Sequence, residues 1–224
     1  MRTIAVIPAR GGSKRIKRKN IRPFCGKPII AYSVEAAIQS GVFDDIIVST
    51  DDETIANVAR SSGASVPFMR PEELSDDFVG VVPVVAHAIK AVGGADRACL
   101  IYATAPFVSP QDLRNAAQTL EDADFALSIA AYESPIFRAL KMDENGRVSS
   151  IWREYEQRRS QDLEEAFHDA AHFCFGRSGA FLEGRSIFNS RTIGCLIDKR
   201  RVQDIDSPSD WLRAEAMFKA LACE

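Results

Sequence analysis

A short apolar run, Ile4-Ala5-Val6-Ile7, passes without a break into Pro8-Ala9-Arg10-Gly11-Gly12-Ser13-Lys14-Arg15 and then Lys17-Arg18-Lys19-Asn20. A brief, continuous apolar stretch reads as a strand buried on both faces, the habit of parallel sheets covered by helices. A buried strand that ends in a basic, glycine-bearing loop restricts the chain to folds that present ligands at the carboxyl ends of their strands. The adjacent glycines let backbone N–H groups approach an anion, Ser13 adds a hydroxyl donor, and the cationic side chains offset polyphosphate charge. The stretch therefore predicts a nucleoside triphosphate site, with a solvated basic turn as the alternative reading. Its spacing excludes a Walker loop, which needs Gly-x-x-x-x-Gly-Lys-Ser/Thr, and a dinucleotide turn, which needs Gly-x-Gly-x-x-Gly.

The rest of the first half alternates strand and helix. After Gly26-Lys27-Pro28, residues Ile30, Val34, Ala37 and Ile38 recur at helical spacing, with Pro28 suited to the first turn and Gly41 to the end. Asp45 to Thr50 predicts a second buried strand, and Thr50 with Glu53 predicts a capping box opening a helix over 52–62. Ala64 to Phe68 reads as a short third strand, followed by a polar loop from Met69 to Asp77. A helix over 81–92, a strand over 98–102, a helix begun by Pro110 and a strand over 125–131 continue the pattern. Such alternation predicts an α/β, Rossmann-like doubly wound, mostly parallel sheet with helices on both faces. Three loops then fall on one edge as ligand candidates: Arg10 to Asn20, Thr50 to Asp52, and Ala103 to Pro106.

The charge balance narrows the ligand. The 28 basic and 31 acidic residues leave a net charge of -3, which gives no support to nucleic acid or a membrane surface as the main partner. The cations concentrated at Lys14 to Lys19 point instead to a local anion. Cys25, Cys99, Cys174, Cys195 and Cys223 form no Cys-x-x-Cys pair, so neither a zinc site nor a disulfide framework is implied. With no secretory apolar region at the start and no apolar run near the ~20 residues that span a bilayer, a cytoplasmic protein is expected. A length of 224 residues suits a single domain, with an excursion at about 132–165 where the alternation breaks down. That stretch carries Asn145-Gly146, a hairpin-type turn, and it reads as an arm that packs on something, a partner subunit being one candidate. Strand-like segments over 166–176 and 191–197 follow, and Ser207-Pro208 caps a final helix running to about Leu221.

Asp204-Ile205-Asp206 is the second chemical feature. In extended backbone, residues i and i+2 project from one face roughly 6.6 Å apart, at about 3.3 Å per residue. Both carboxylates would face one way while Ile205 faces the core. Magnesium takes one or two carboxylates together with phosphate oxygens and waters, so Asp204 and Asp206 are candidate Mg²⁺ ligands beside a triphosphate. The plainer alternative is that Asp206 merely precedes the helix capped by Ser207. A nucleophilic triad is absent: His87 falls on a helix face and reads as packing, and Ser13 has no neighbouring His in sequence. A basic loop and an acid pair suggest metal-assisted attack on a nucleotide phosphate, where catalysis is positioning plus charge stabilisation.

Several stretches together resemble the CMP-sugar synthetases, the cytidylyltransferases that activate sialic acids and related nonulosonates. They are Ile7 to Lys14 with Lys19-Asn20, Val48 to Asp52, Pro67 to Pro71, Ile101 to Phe107, Arg159 to Ala166, and Val202 to Asp206. The branch acting on pseudaminic acid is the nearer match. The resemblance implies a nucleotidyltransferase fold akin to glycosyltransferase-A, with CTP and a nonulosonic acid such as pseudaminic acid as substrates and Mg²⁺ as cofactor. The sugar's anomeric hydroxyl would attack the α-phosphate of CTP and release pyrophosphate. It implies triphosphate contacts from Arg10, Ser13 and Lys19 within a CTP-binding stretch of Ala9, Gly11, Gly12 and Lys14. Asn20 and Arg70 would lie at the cytidine, and Asp204 and Asp206 would hold the metal. Lys19, Arg10, Asp204 and Asp206 form the implied catalytic set. Tyr102, Thr104, Asp169 and His172 would face the sugar, joined by Arg159 and Gln161 from an arm that makes a homodimer. Legionaminic or sialic acid is the alternative sugar, and a glycosyltransferase or a non-catalytic nucleotide-binding protein the alternative class.

One departure stands out. The branch usually reads His-Asp-Ala-Gly-Gln-Phe-Tyr-Trp-Gly where this chain has His168-Asp169-Ala170-Ala171-His172-Phe173-Cys174-Phe175-Gly176. Ala171 replaces a glycine and His172 an amide, which is read either as repacking of a pocket wall or as reshaping around the sugar's N-acyl groups.

Overall fold

The computed structural model describes every residue except Asp77, Glu121, Asp122, Ser190, Cys223 and Glu224. The end of the polar loop at Asp77 and the fifth cysteine, Cys223, thus lie outside the described residues. In chain order the elements are β1 (Thr3–Pro8), a small ribbon of β2 (Pro23–Phe24) and β3 (Lys27–Pro28), α1 (Ile29–Ser40), β4 (Asp45–Ser49) and α2 (Glu53–Ser61). Next come α3 (Val81–Ala91), β5 (Arg97–Ile101), α4 (Pro110–Thr119) and β6 (Phe125–Ala131). A hairpin of β7 (Leu140–Met142) and β8 (Val148–Ser150), then β9 (Phe167–Arg177), α5 (Ser178–Leu182), β10 (Thr192–Leu196) and α6 (Pro208–Leu221) complete the chain.

Six strands form one sheet in the order β10-β6-β9-β5-β1-β4. The pairs β1–β4, β1–β5 and β10–β6 are parallel, and β9 alone runs antiparallel, wedged between β5 and β6. β1 is buried along nearly its whole length, as its unbroken apolar run requires. Helices cover both faces. Ile30 and Val34 of α1, Ile55 of α2 and Leu113 of α4 pack on one face against Ile7, Val48 and Phe173. Val85 and Ile89 of α3 and Phe181 of α5 pack on the other against Val6, Leu100 and Cys174. No helix among the described residues is long and apolar enough to cross a membrane.

Local signals placed most helices correctly. Gly41 ends α1 in the left-handed region at φ 65, and capping boxes at Ser109–Asp112 and Ser207–Asp210 open α4 and α6 with Pro110 and Pro208 in the first turn. Two expectations need correction. The cap of α2 is Asp52, whose Oδ1 accepts from the N–H groups of Thr54 and Ile55, while Thr50 Oγ1 only accepts from the Asp52 N–H. Asp at the N-cap competes well for both orphan donors and displaces the Thr50–Glu53 box. Residues 64–68 form no strand but a single bridge, Ser65 to Ile47, and Pro67, with no N–H to give, follows at once.

The ladder between β6 and β9 is irregular at one place. Leu127 pairs with Cys174 and Ile129 with Asp169, so residues 170–173 of β9 lie opposite Ser128 alone. Ser128 Oγ accepts from the N–H groups of His172 and Phe173 and donates to the Phe173 carbonyl, which satisfies the backbone inside this bulge. Ala171, at the turn of the bulge, has φ +52. An L-residue with a Cβ pays about 1–2 kcal/mol to adopt this left-handed backbone. Ala171→Gly is therefore expected to stabilise the fold by about 0.5–1 kcal/mol, after the added freedom of glycine in the unfolded chain is deducted. An unfolding midpoint in urea that fails to rise would show that the bulge holds Ala171 without strain.

Candidate active site

The order β4-β1-β5 makes the edge between β1 and β5 a switch point: the chain leaves β1 for β4 on one side, and β5 inserts on the other. The loops after β1 and β5 diverge there, and a cleft opens between them. It is lined by Arg10, Ser13, Lys14, Arg15, Lys19 and Asn20 from the first loop, by Tyr102, Ala103 and Thr104 from the second, and by Arg70, Gly80, Val81 and Asp206. Of the expected nucleotide residues, Arg10, Ser13, Lys14, Lys19, Asn20 and Arg70 meet in this cleft.

Three expected nucleotide residues stand outside the lining. Ala9 is fully buried in the core, and its N–H extends the β1–β4 ladder to the Ser49 carbonyl. The Gly11 N–H donates to Asp51 Oδ1 at 2.9 Å, so it is already committed. A Cβ at Gly11 would meet Asp52 Cβ at 3.0 Å, so close packing against the Thr50–Asp52 loop is what requires glycine there. Gly12 is exposed with open space about it. The Thr50–Asp52 loop, expected as a ligand loop, acts as a brace under the basic one: Arg18 lies 3.6 Å from Asp52, and Asn20 Nδ2 ties back to the Arg10 carbonyl at 2.9 Å.

Arg70 is the buried cation of the site. Its side chain is only 4 % exposed, and its Nε and Nη2 have no hydrogen-bond partner, Asp51 Oδ1 standing 3.9 Å from Nη2. Burial lowers its pKa, against the opposing pull of Asp51. Orphaned guanidinium donors in a buried setting are costly, which suits a ligand that supplies acceptors. Beside it the amino end of α3 opens on the cleft at Gly80 without a side-chain cap. Sequence reading missed this wall, although a glycine directly before a helix was its visible signal.

The acidic segment faces the basic loop because both are pinned to one apolar cluster. Ile205 is fully buried and Ile16 nearly so, and they pack together with Phe24, Phe107 and Trp211. Asp206 Oδ1 lies 3.4 Å from Lys19 Nζ and its Oδ2 lies 2.9 Å from Arg15 Nη2, while Lys19 Nζ also donates to the Ile205 carbonyl at 2.8 Å. From behind, Arg201 holds the segment by a two-pronged pair with Asp112 at 2.6 and 3.1 Å. Asp204 is exposed and lies off the cleft lining. Partial desolvation and the neighbouring Asp206 charge push its carboxyl above the usual aspartate range, with Lys19 opposing. Two carboxylates that repel one another, one already approached by two cations, form a donor set that a hard divalent ion fits. No group of three or more His, Cys, Asp or Glu suited to a metal occurs among the described residues, so phosphate oxygens and water would complete the shell.

On the sugar side the expected residues separate. Tyr102 and Thr104 line the cleft. Burial, then the charges of Asp169 and Asp204, push the Tyr102 phenol far up, so it stays a hydrogen-bond donor. Asp169 is half-buried just behind, its Oδ1 accepting from the Ala171 N–H at 2.8 Å, and burial raises its pKa. His172 is corrected: it is 1 % exposed and does not reach the cleft, because the bulge turns it into the protein toward Asp112 and Arg201. Burial drops its pKa to about 4, so the ring is neutral near pH 7, against the opposing pull of Asp112. Arg159 and Gln161 sit exposed on the 132–166 excursion, away from this chain's cleft, with Arg159 paired to Asp162 at 2.7 Å.

The chain is similar to known proteins in both sequence and fold. Residues 4–203 match the cytidylyltransferase family. A pseudaminic acid cytidylyltransferase of Campylobacter jejuni is 41% identical over 98% of this chain and 97% of its own length. A CMP-N,N'-diacetyllegionaminic acid synthase of Legionella pneumophila is 30% identical over 98% of this chain and 97% of its own. Among solved structures, a CMP:2-keto-3-deoxy-manno-octonic acid synthetase complexed with CTP superposes with a TM-score of 0.74 over 99% of this chain and all of the other, at 18% identity, a likeness of fold.

Proposed function

Since the chain belongs to the cytidylyltransferase family, we propose that it transfers CMP from CTP to the anomeric hydroxyl of a nonulosonic acid, with pseudaminic acid as the sugar. The observation that carries the reading is one cleft at the β1–β5 switch point in which Arg10, Ser13, Lys14 and Lys19 face Asp206. The identity of 41% to the Campylobacter jejuni enzyme, against 30% to the legionaminic acid synthase, favours the sugar named first.

In this mechanism the sugar hydroxyl gives up its proton to solvent water as its oxygen bonds to the α-phosphorus, the bond to the bridging oxygen of the β-phosphate breaks, and pyrophosphate departs with its electron pair. Arg10, Ser13 and Lys14 hold the leaving phosphates, and Lys19 neutralises charge as it develops. Arg70 donates its orphaned N–H groups to the cytidine. Tyr102, kept protonated, and Thr104 orient the sugar. Asp204 and Asp206 would hold Mg²⁺, which supplies a Lewis acid to the phosphate oxygens. The 132–166 excursion presents Leu140, Met142 and Val148 to solvent, and we assign these to the contact of a homodimer. We infer a cytoplasmic location from the use of CTP.

The test is pyrophosphate release from CTP and Mg²⁺ with a panel of free nonulosonic acids. Pseudaminic acid should give the highest kcat/KM. Faster turnover of legionaminic or sialic acid reassigns the sugar, and no release with any of them overturns the synthetase reading in favour of a glycosyltransferase or a binding protein.

A further inference from the structure

Two cations share the carboxylate of Asp206, and they are held very differently. Lys19 is 22 % exposed and locked by the Ile205 carbonyl at 2.8 Å. Arg15 is 69 % exposed, and its guanidinium pairs with Asp206 at 2.9 Å. It stands two residues beyond Ser13 on the loop that carries the expected triphosphate contacts, and it lines the same cleft. Ile16, buried next to it, anchors the backbone, while most of the Arg15 side chain stands in solvent. The acid thus has one permanent and one releasable cation.

We propose that Arg15 is a placeholder: its guanidinium neutralises Asp206 in the nucleotide-free enzyme, yields that carboxylate to the divalent ion, and moves to the departing phosphates. The proposal rests on the reading of this cleft as a CTP and Mg²⁺ site. Its physical basis is charge conservation. An Asp206 left with Lys19 alone at 3.4 Å would add to the repulsion between it and Asp204, and the guanidinium at 2.9 Å on its other oxygen offsets this until a stronger cation arrives. When the metal comes with the nucleotide, four phosphate charges enter with it. A planar fork suited to phosphate oxygens is then worth more facing them than facing a neutralised acid. An exposed ion pair is weak, so the exchange costs little.

The idea predicts effects of opposite sign from one substitution. Mn²⁺, which reports by electron paramagnetic resonance, serves as the probe metal with the whole chain. In the absence of nucleotide, Arg15→Ala should bind Mn²⁺ about two- to five-fold more tightly than wild type, because nothing has to be displaced. In the presence of Mn²⁺, the same variant should bind CTP about tenfold more weakly, having lost a charge-assisted phosphate contact. Lys17→Ala removes an equal charge from an exposed position outside the cleft lining and should change neither value. Unchanged or weaker Mn²⁺ affinity in Arg15→Ala, undiminished CTP affinity, or an equal gain in Lys17→Ala overturns the proposal. Asp206→Ala separates the two layers. If that variant loses Mn²⁺ while Arg15→Ala behaves as wild type, the metal site stands and Arg15 is a bystander; if Asp206→Ala keeps Mn²⁺, the metal reading and the placeholder fall together.

Discussion

Asp206→Ala should abolish measurable synthesis, lowering kcat by about 10³ or more while the protein remains folded. Removing a ligand that positions a catalytic cation strips both charge stabilisation and orientation from the transition state. The fold should tolerate the change, because what fixes the segment lies elsewhere. Ile205 stays in its apolar cluster, the backbone N–H of Asp206 still donates to Asp210 Oδ2 at 3.2 Å, and Arg201 keeps its grip on Asp112. The pairs lost, to Arg15 and Lys19, involve a carboxylate 39 % exposed, and such pairs contribute at most about 1 kcal/mol. The measurement is pyrophosphate release beside a urea unfolding curve. Turnover within tenfold of wild type would remove Asp206 from the metal site, and a collapsed unfolding midpoint would make it structural.

The second large effect is expected at Lys19. Its ammonium spans the two halves of the site, touching the Ile205 carbonyl and Asp206 while lining the cleft. Lys19→Ala should lower kcat by about 10², because a cation placed where charge develops acts chiefly on the transition state. Lys19→Arg should not restore it fully, since a planar fork cannot make the same contact with the Ile205 carbonyl from that stem. A raised KM for CTP with kcat intact would reassign Lys19 to ground-state binding.

How far the sequence reached depended on whether a signal was local. Ser109-Pro110 and Ser207-Pro208 carry their instructions within four residues, and both helices begin where expected. β6 spans the residues foreseen, because a buried strand is an apolar run with visible ends. Pairing partners are not written in a strand, so the antiparallel insertion of β9 between β5 and β6 had no sequence signature. The cleft was legible where motif residues point into it, as with Arg10, Lys19 and Arg70. Gly11 looked like an anion donor because glycine permits close approach, but what approaches is Asp52. The resemblance implied that His172 faces the sugar, but a bulge is not foreseen from a strand's residues, and the irregularity opposite Ser128 turns it inward.

The last pair of that same ladder joins Ala131 to Phe167, and the Tyr132 N–H donates to the Ala166 carbonyl. The intervening arm therefore leaves and re-enters the sheet through a single doorway. In polymer terms it is one hairpin loop, whose closure entropy rises only with the logarithm of its length, about 0.6 kcal/mol per doubling. Natural or engineered variants could lengthen, trim or exchange it with little effect on the sheet.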